Sequence, residues 1–336
     1  MRFIDSMRIF HNLAEVPADF GSTIVSVGNF DGVHLAHQTV LREVVTRARA
    51  RTATGHGAGT GTKTGPAKSL AITFEPHPAR ILRPEVAPRL ITPLPIKLKL
   101  LEKTGLDAAL VLPFTRDFSV TPPREFAREI LRQRLKADEV HEGDNFHFGH
   151  KAEGNIDRLA QFGKELGFEV VTYPEQKIRG IPVSSSQIRA LVERGNTAQA
   201  RHLLGRIFSI TAPPGRGRGY GHKYTVPTIN LSRYEELVPA DGVYITRTVI
   251  NGECFDSVTN IGNRPTFGAD SFAIETHLLN FHPIDLTAET PVEIFFLRRL
   301  REEIKFPSVE ALREQIAKDV LRSRRYFRSL KSFSQA

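Results

Sequence analysis

Through the first 200 residues, short apolar runs alternate with stretches in which apolar side chains recur every three or four positions. The runs predict strands over 23–27, 69–74, 108–112, 139–141 and 169–172. The longer period predicts helices over 36–50, 94–103, 123–134 and 155–166. That alternation implies a Rossmann-like, doubly wound α/β domain with a parallel sheet, which takes ligands beyond the carboxyl ends of its strands. After Gly205 the texture changes. Short runs at 207–211, 228–231, 242–250, 255–260, 273–281 and 292–297 are separated by turn residues, and a helical stretch at 309–327 follows. This pattern predicts a compact antiparallel β-barrel with a C-terminal helix. The boundary is expected near 195–206, with domains at 1–200 and 201–336.

Residues 28–38 read Gly-Asn-Phe-Asp-Gly-Val-His-Leu-Ala-His-Gln, between the first predicted strand and the first predicted helix. Gly28 and Gly32 permit a tight turn and a close backbone approach to a ligand. The helix start offers free N–H groups and a positive dipole end, which suit a phosphate. His34 and His37, three apart, share one face. The spacing alone leaves open a grip on a nucleotide triphosphate, a metal pair, or a helix cap. Zinc is disfavoured because Cys254, the one cysteine, lies far along the chain and no third ligand is in sight. Asp31 is expected as a turn residue, with a metal role as the alternative.

Thr73-Phe74-Glu75-Pro76-His77-Pro78 follows the second strand and so also falls at the ligand edge. Ser184-Ser185-Ser186-Gln187-Ile188-Arg189 opens a helix. Hydroxyls there are ordinary caps, but three of them with an arginine one turn on also suit phosphate oxygens. The Gly- and Thr-rich stretch 51–68 lacks periodicity and is expected as a surface insertion rather than a phosphate loop.

In the second half, Gly215-Arg216-Gly217-Arg218-Gly219 forms a basic loop ahead of Pro227-Thr228-Ile229-Asn230. Thr228 and Asn230 are two apart and face one side of a strand, and such oxygen ligands suit Mg²⁺. Glu275, inside Ala-Ile-Glu-Thr-His-Leu, is either an exposed-face residue or a general base.

Composition narrows the setting. The 336 residues are 40% hydrophobic and 25% charged, with a formal net charge of +9 and a pI near 9.8. That charge attracts polyanions, nucleotides included. The basic cluster Arg322, Arg324, Arg325, Arg328 and Lys331 is read as the solvated end of a helix. No aromatic–basic interleaving of the kind used for nucleic acids is present, so no nucleic-acid partner is expected. No apolar run approaches the roughly 20 residues of a membrane span, and the start lacks a signal-peptide pattern. A single cysteine suits a reducing compartment, so a cytoplasmic protein without a membrane partner is expected.

Together these segments resemble the prokaryotic bifunctional riboflavin kinase/FAD synthetase family. The resemblance is carried in order by GNFDGVHLAHQ, TFEPHP, GDNFHFGHKAEGN, SSSQIR, LLGR, GRGRG, PTIN, DGVY, NIGNRPTF, ETHLLNF and LREEIKF. It implies a kinase barrel that makes FMN from riboflavin and ATP, and an N-terminal domain that joins AMP from ATP to FMN, giving FAD and pyrophosphate. It implies that His34 and His37 hold the ATP triphosphate, with Gly28, Asn29, Phe30, Gly32, Ser184, Ser185, Ser186 and Arg189 around it. In the kinase it implies ATP contacts at Gly215, Gly217, Arg218, Gly219 and Thr228, with Mg²⁺ on Thr228 and Asn230 and Glu275 as base. Flavin contacts are implied at Asn145, Arg264, Thr266 and Arg301.

Three departures stand out. Ala36 occupies the family's usual glycine between the histidines, and His147 a usual arginine. The segment 212–226 is longer and lacks Leu-Gly-Phe before Pro-Thr. A chain with a weakened or lost kinase is the alternative that this last departure raises.

Overall fold

A computed structural model describes residues 6–54, 66–215, 228–263, 272–282 and 284–333. The chain divides into two compact units, Met1–Ser185 and Ser186–Ala336. The predicted site residues Gly217, Arg218, Gly219, Arg264 and Thr266 lie outside the described residues, as does 55–65 of the predicted insertion.

The first unit is a six-stranded sheet of β1 (Arg8–Phe10), β2 (Ser22–Val27), β3 (Ala67–Glu75), β4 (Ala108–Pro113), β5 (Ala137–Gly143) and β6 (Glu169–Tyr173). Their spatial order is β1-β4-β3-β2-β5-β6 and every pairing is parallel. β2 is buried from Thr23 to Val27, as a central parallel strand covered on both faces must be. Its side chains alternate between two cores. Ile24 packs with Leu41, Val44 and Ala48 of α1 (Leu35–Thr54), whereas Val25 and Val27 pack with Leu70, Ile72, Leu110 and Phe126. Full burial of such side chains contributes about 1.5–3 kcal/mol each, which anchors both layers. From β2 the chain winds to β3 and β4 on one side, then to β5 and β6 on the other. The strand order therefore reverses between β2 and β5, which opens a crevice at their carboxyl ends.

The predicted strands and helices of this unit are all present. β1 and the short helices Pro78–Leu82 and Arg116–Ser119 were not predicted, nor was Thr197–Leu204 in the second unit. β1 is too short for periodicity to register, and it pairs only along one edge with β4. The expected insertion at 51–68 is narrower than read, because α1 runs on to Thr54 and β3 starts at Ala67. Inside that helix Thr52 satisfies its hydroxyl by donating to the Ala48 carbonyl one turn back, at 3.0 Å.

The second unit is an antiparallel sheet of β7 (Ser209–Ala212), β8 (Thr228–Asn230), β9 (Gly242–Ile250), β10 (Glu253–Asn263), β11 (Phe272–Leu278) and β12 (Val292–Arg301). Its order is β7-β12-β9-β10-β11-β8. The edges meet beyond β7 and β8, where Pro214 bridges Leu231 and the Gly215 N–H donates to the Asn230 carbonyl at 2.8 Å. A Cβ on Gly215 would lie 2.7 Å from the Leu231 carbonyl oxygen, so this closure requires glycine. β9 and β10 join through Asn251-Gly252, with φ of 50° and 83°. That two-residue turn matches strand twist, and it starts β10 at Glu253, two residues before the strand start predicted from apolar residues.

Inside this curled sheet the side chains are hydroxyls as well as hydrocarbons. Thr246, Ser257, Thr248, Thr276 and Thr259, each 0% exposed, form a closed ring with successive Oγ–Oγ distances of 2.8, 2.8, 3.1, 2.9 and 2.7 Å. Each hydroxyl can donate once and accept once around the ring, so all five ring hydroxyls are satisfied and their bonds reinforce one another. The ring fixes β9, β10 and β11 in register from within. Helix α2 (Leu94–Glu102), on the first unit, and helix α3 (Val309–Phe333), on the second, complete the elements used below.

Candidate functional site

At the end of β2 the Gly28 N–H still pairs with the Ile72 carbonyl of β3, at 2.9 Å. The loop then turns with left-handed backbone at Phe30 (φ 46°), Gly32 (84°) and Val33 (38°). For a β-branched residue this conformation is strained and needs support from its surroundings. Asp31, 1% exposed, supplies it. Its carboxylate accepts the Ile91 N–H at 2.9 Å and the Thr92 N–H at 3.0 Å. The Gly32 N–H in turn donates to Thr92 Oγ1 at 2.9 Å, and Ser185 Oγ donates to the Asp31 carbonyl at 2.9 Å. The turn role read for Asp31 is what this geometry describes.

The loop delivers two imidazoles to the start of α1. Their rings stack with centroids 3.5 Å apart, and His37 meets the Phe30 ring edge-on at 5.2 Å. Burial, then His34, then Lys97 hold His37 well below the usual imidazole pKa, so it is neutral at pH 7. Its Nδ1 is enclosed and has no hydrogen-bond partner. Leaving such an atom unmatched costs about 1–3 kcal/mol, a penalty that a ligand donor or a rearranged ring would relieve.

Two ionisable side chains at this crevice were missed from the sequence. Lys97 of α2 is 1% exposed, and its ammonium donates to Thr73 Oγ1 at 3.3 Å. Thr73 donates onward to the Asn29 carbonyl at 3.2 Å. The only hint of burial was spacing: Lys97 and Leu101 are one turn apart and are the two buried residues of α2.

The second is Glu142, 5% exposed, on β5 at the strand-order reversal. Its carboxyl accepts the Val27 N–H in place of a backbone carbonyl. Burial raises its pKa well above the ordinary value, more than that N–H lowers it. An acid with a raised folded pKa stabilises the fold fully below its unfolded value of about 4.3 and loses that contribution as pH rises through the folded value. Glu142→Gln keeps the Val27 acceptor without the titration. Its melting temperature should exceed that of the wild type above neutral pH, and the gap should close as the pH falls toward the unfolded carboxyl range. A constant gap across a thermal-denaturation pH series would show that Glu142 does not titrate this way.

The structure brings Gly28, Asn29, Phe30, Gly32, His34, His37 and Ser185 together around one turn. Ser184 is half-buried just before Ser185, while Ser186 is exposed and Arg189 half-buried further along the helix Ser185–Glu193. Asn145 is exposed in the turn after β5, and its carbonyl lies 2.9 Å from His147 Nδ1. His77 of the TFEPHP segment caps the short helix Pro78–Leu82, its Nδ1 accepting the Ala79 N–H at 3.2 Å.

On the second unit, register sets the site. Asn230 of β8 lies directly opposite Glu275 of β11, which lies opposite Asn260 of β10. Side chains directly opposite share a face, so these three form a half-buried polar row. One step along, Thr228 pairs with His277, with Oγ1 3.4 Å from Nδ1. Burial, then Arg324, lower the His277 pKa. Thr276, between Glu275 and His277, points the other way into the hydroxyl ring, which ties the polar row to a rigid support. Asn260 was not singled out from the sequence. Only strand pairing places it beside Glu275.

The hydroxyl of Thr228, the amide oxygen of Asn230 and the Glu275 carboxylate are hard oxygen donors of the kind Mg²⁺ takes. No group of three or more His, Cys, Asp or Glu able to hold a metal occurs among the described residues. Arg301 is anchored to α3, its Nε donating to Asp319 at 2.9 Å and its guanidinium lying over Phe306.

Residues 16–187 match the FAD synthetase family model, and residues 204–327 match the riboflavin kinase model. The chain belongs to the bifunctional riboflavin kinase/FMN adenylyltransferase family. Relatives of that name include one from Pseudomonas fluorescens, 32% identical over 95% of this chain and 97% of its own length. Others come from Escherichia coli K12 (30% identical; 96% and 97% covered) and Buchnera aphidicola of Schizaphis graminum (30%; 96% and 98%). A crystal structure described as a macrolide-efflux protein from Streptococcus pneumoniae shares the fold, with a TM-score of 0.79, 24% identity and coverage of 95% of this chain and 98% of that one. In family terms the Gly28–Gln38 turn lies in the synthetase match, and Thr228, Asn230, Asn260 and Glu275 lie in the kinase match. No helix among the described residues is long and apolar enough to cross a membrane.

Proposed function

We propose that the chain makes FMN and ADP from riboflavin and ATP in its second unit, and FAD and pyrophosphate from FMN and ATP in its first. The observation that carries this reading is the pair of family matches in tandem, each containing a site of fitting chemistry. The activity boundary is proposed at 200/201 and the location as cytoplasmic, with no nucleic-acid or membrane partner.

The two sites differ as their nucleophiles demand. Riboflavin attacks through a neutral primary alcohol, so a carboxylate that receives its proton helps. Glu275, in the polar row, is that base. Thr228 and Asn230 hold Mg²⁺ with the nucleotide phosphates, and Gly215, Gly217, Arg218 and Gly219 cover them. When bound, Mg²⁺ neutralises charge on the transferring phosphoryl group. Arg264, Thr266 and Arg301 are the proposed flavin contacts of this head.

FMN attacks through a phosphate already mostly dianionic at pH 7, its second pKa being about 6, and needs no base. Catalysis in the first unit is positioning and stabilisation of the departing pyrophosphate. His34 and His37 donate N–H groups to the triphosphate. Gly28, Asn29, Phe30 and Gly32 shape the turn, Ser184, Ser185, Ser186 and Arg189 take phosphate oxygens, and Asn145 contacts flavin.

The test is product chromatography of purified protein given riboflavin, ATP and MgCl₂. FMN followed by FAD is the expected result. FAD from added FMN, with no FMN from riboflavin, would establish instead the silent kinase that the departures at 212–226 raise. The retained Thr228, Asn230 and Glu275 weigh against that outcome. No product from either substrate would overturn the reading.

A further inference from the structure

Lys97 is a buried cation that no carboxylate among the described residues meets in direct contact. Of the described residues, none forms an ion pair with it, and its one hydrogen bond goes to the neutral hydroxyl of Thr73 at 3.3 Å. Burying an ammonium costs several kcal/mol unless opposite charge repays it. Asp31 and Glu75 act on it electrostatically. Neither closes a pair, and the Asp31 carboxylate already accepts the N–H groups of Ile91 and Thr92. Packing alone would favour leucine or methionine here, as at neighbouring Leu101.

Its position shows what the charge faces. Lys97, Thr73 and Asn29 form a chain that ends in the backbone of the Gly28–His34 turn. His37, at the far side of that turn, senses the same ammonium. The cation is therefore tied to the turn through two hydrogen bonds and is shielded from bulk solvent.

We infer that Lys97 is a positioning residue of the adenylyl-transfer site, a fixed buried charge that favours the β- and γ-phosphates of ATP and the pyrophosphate they become. This rests on the function proposed for the first unit. A low-dielectric surrounding strengthens the attraction of such a charge for a polyphosphate. Burial holds the ammonium pKa below its ordinary value, and Asp31 and Glu75 push it back up. A bound polyphosphate raises it further and keeps it charged.

The test runs the reaction backwards, FAD and pyrophosphate giving ATP and FMN, since riboflavin phosphorylation involves no pyrophosphate. Lys97→Met keeps the length of the side chain and removes the charge. The KM for pyrophosphate should rise about tenfold or more, while the KM for FAD and the rate of riboflavin phosphorylation stay within about twofold. The melting temperature should hold or rise, because an unpaired buried charge has gone. A pyrophosphate KM within about twofold of wild type would overturn the inference. So would a parallel rise in both KM values with a lower melting temperature, which marks a packing role. If the Met variant does not fold, Lys97→Gln is judged by the same criteria. Wild-type protein that forms no FAD in either direction would instead overturn the function proposed for this unit.

Discussion

His37→Ala is expected to cut FAD formation from FMN and ATP by about 10²–10³-fold, the usual cost of removing one preorganised donor to a developing anion. The ring is neutral, stacked on His34 at 3.5 Å and braced by Phe30, so its orientation is set before the nucleotide arrives. Preorganisation of that kind strengthens as charge collects on the departing pyrophosphate, so the loss should fall mainly on kcat. Truncating a half-buried ring at the mouth of the crevice costs stability on the order of 1 kcal/mol, too little to unfold the domain. Riboflavin phosphorylation is the internal control and should stay within about twofold. A variant that retains FAD synthesis within tenfold would remove His37 from the proposed machinery. Equal loss of both products would show that the two heads do not work independently.

The second large effect is expected at Glu275. Glu275→Gln keeps the shape and hydrogen bonding of the side chain but cannot take a proton, so FMN formation should fall by about 10²–10⁴-fold. FAD formation from supplied FMN should be unchanged, because a phosphate nucleophile brings its own negative charge. The fold should tolerate the substitution. Glu275 lies on the half-buried face between Asn230 and Asn260, whereas the support of β11 comes from Thr276 in the hydroxyl ring on the other face. Unchanged kcat for riboflavin phosphorylation would return Glu275 to the reading that the sequence left open, a polar residue on an exposed face.

Most of the architecture was legible because it rests on local periodicity. An apolar run at 23–27 flanked by glycine can only be a strand covered on both faces, and β2 is that strand. The motif after it reads as a tight turn into a helix start from residue type and spacing, with its ligand left open, and its histidines do meet. What failed was short or unsignalled: β1, three residues long, and the Asn251-Gly252 turn that draws Glu253 into β10. In the second unit nothing in the sequence marked the threonines of β9 and β10 as inward-facing. Curling of the sheet turns them inward, where only a closed ring of hydroxyls makes them tolerable.

By itself the sequence determined the order of the elements, the reversal from parallel to antiparallel texture near Gly205, and the residue types available to each head. Those follow from backbone dihedral preferences and from side chains at fixed spacing, which depend on near neighbours. Only the tertiary structure decided which polar residues face which. It set Lys97, buried, against Thr73 near the Gly28–His34 turn, Glu142 as a buried carboxyl with a raised pKa at the strand-order reversal, Asp31 as the clamp on a strained loop, and Asn260 beside Glu275. The physical reason is that burial and charge are properties of pairs distant in sequence. A lysine on an amphipathic helix carries no mark of its environment until another strand's threonine, 24 residues away along the chain, lies against it.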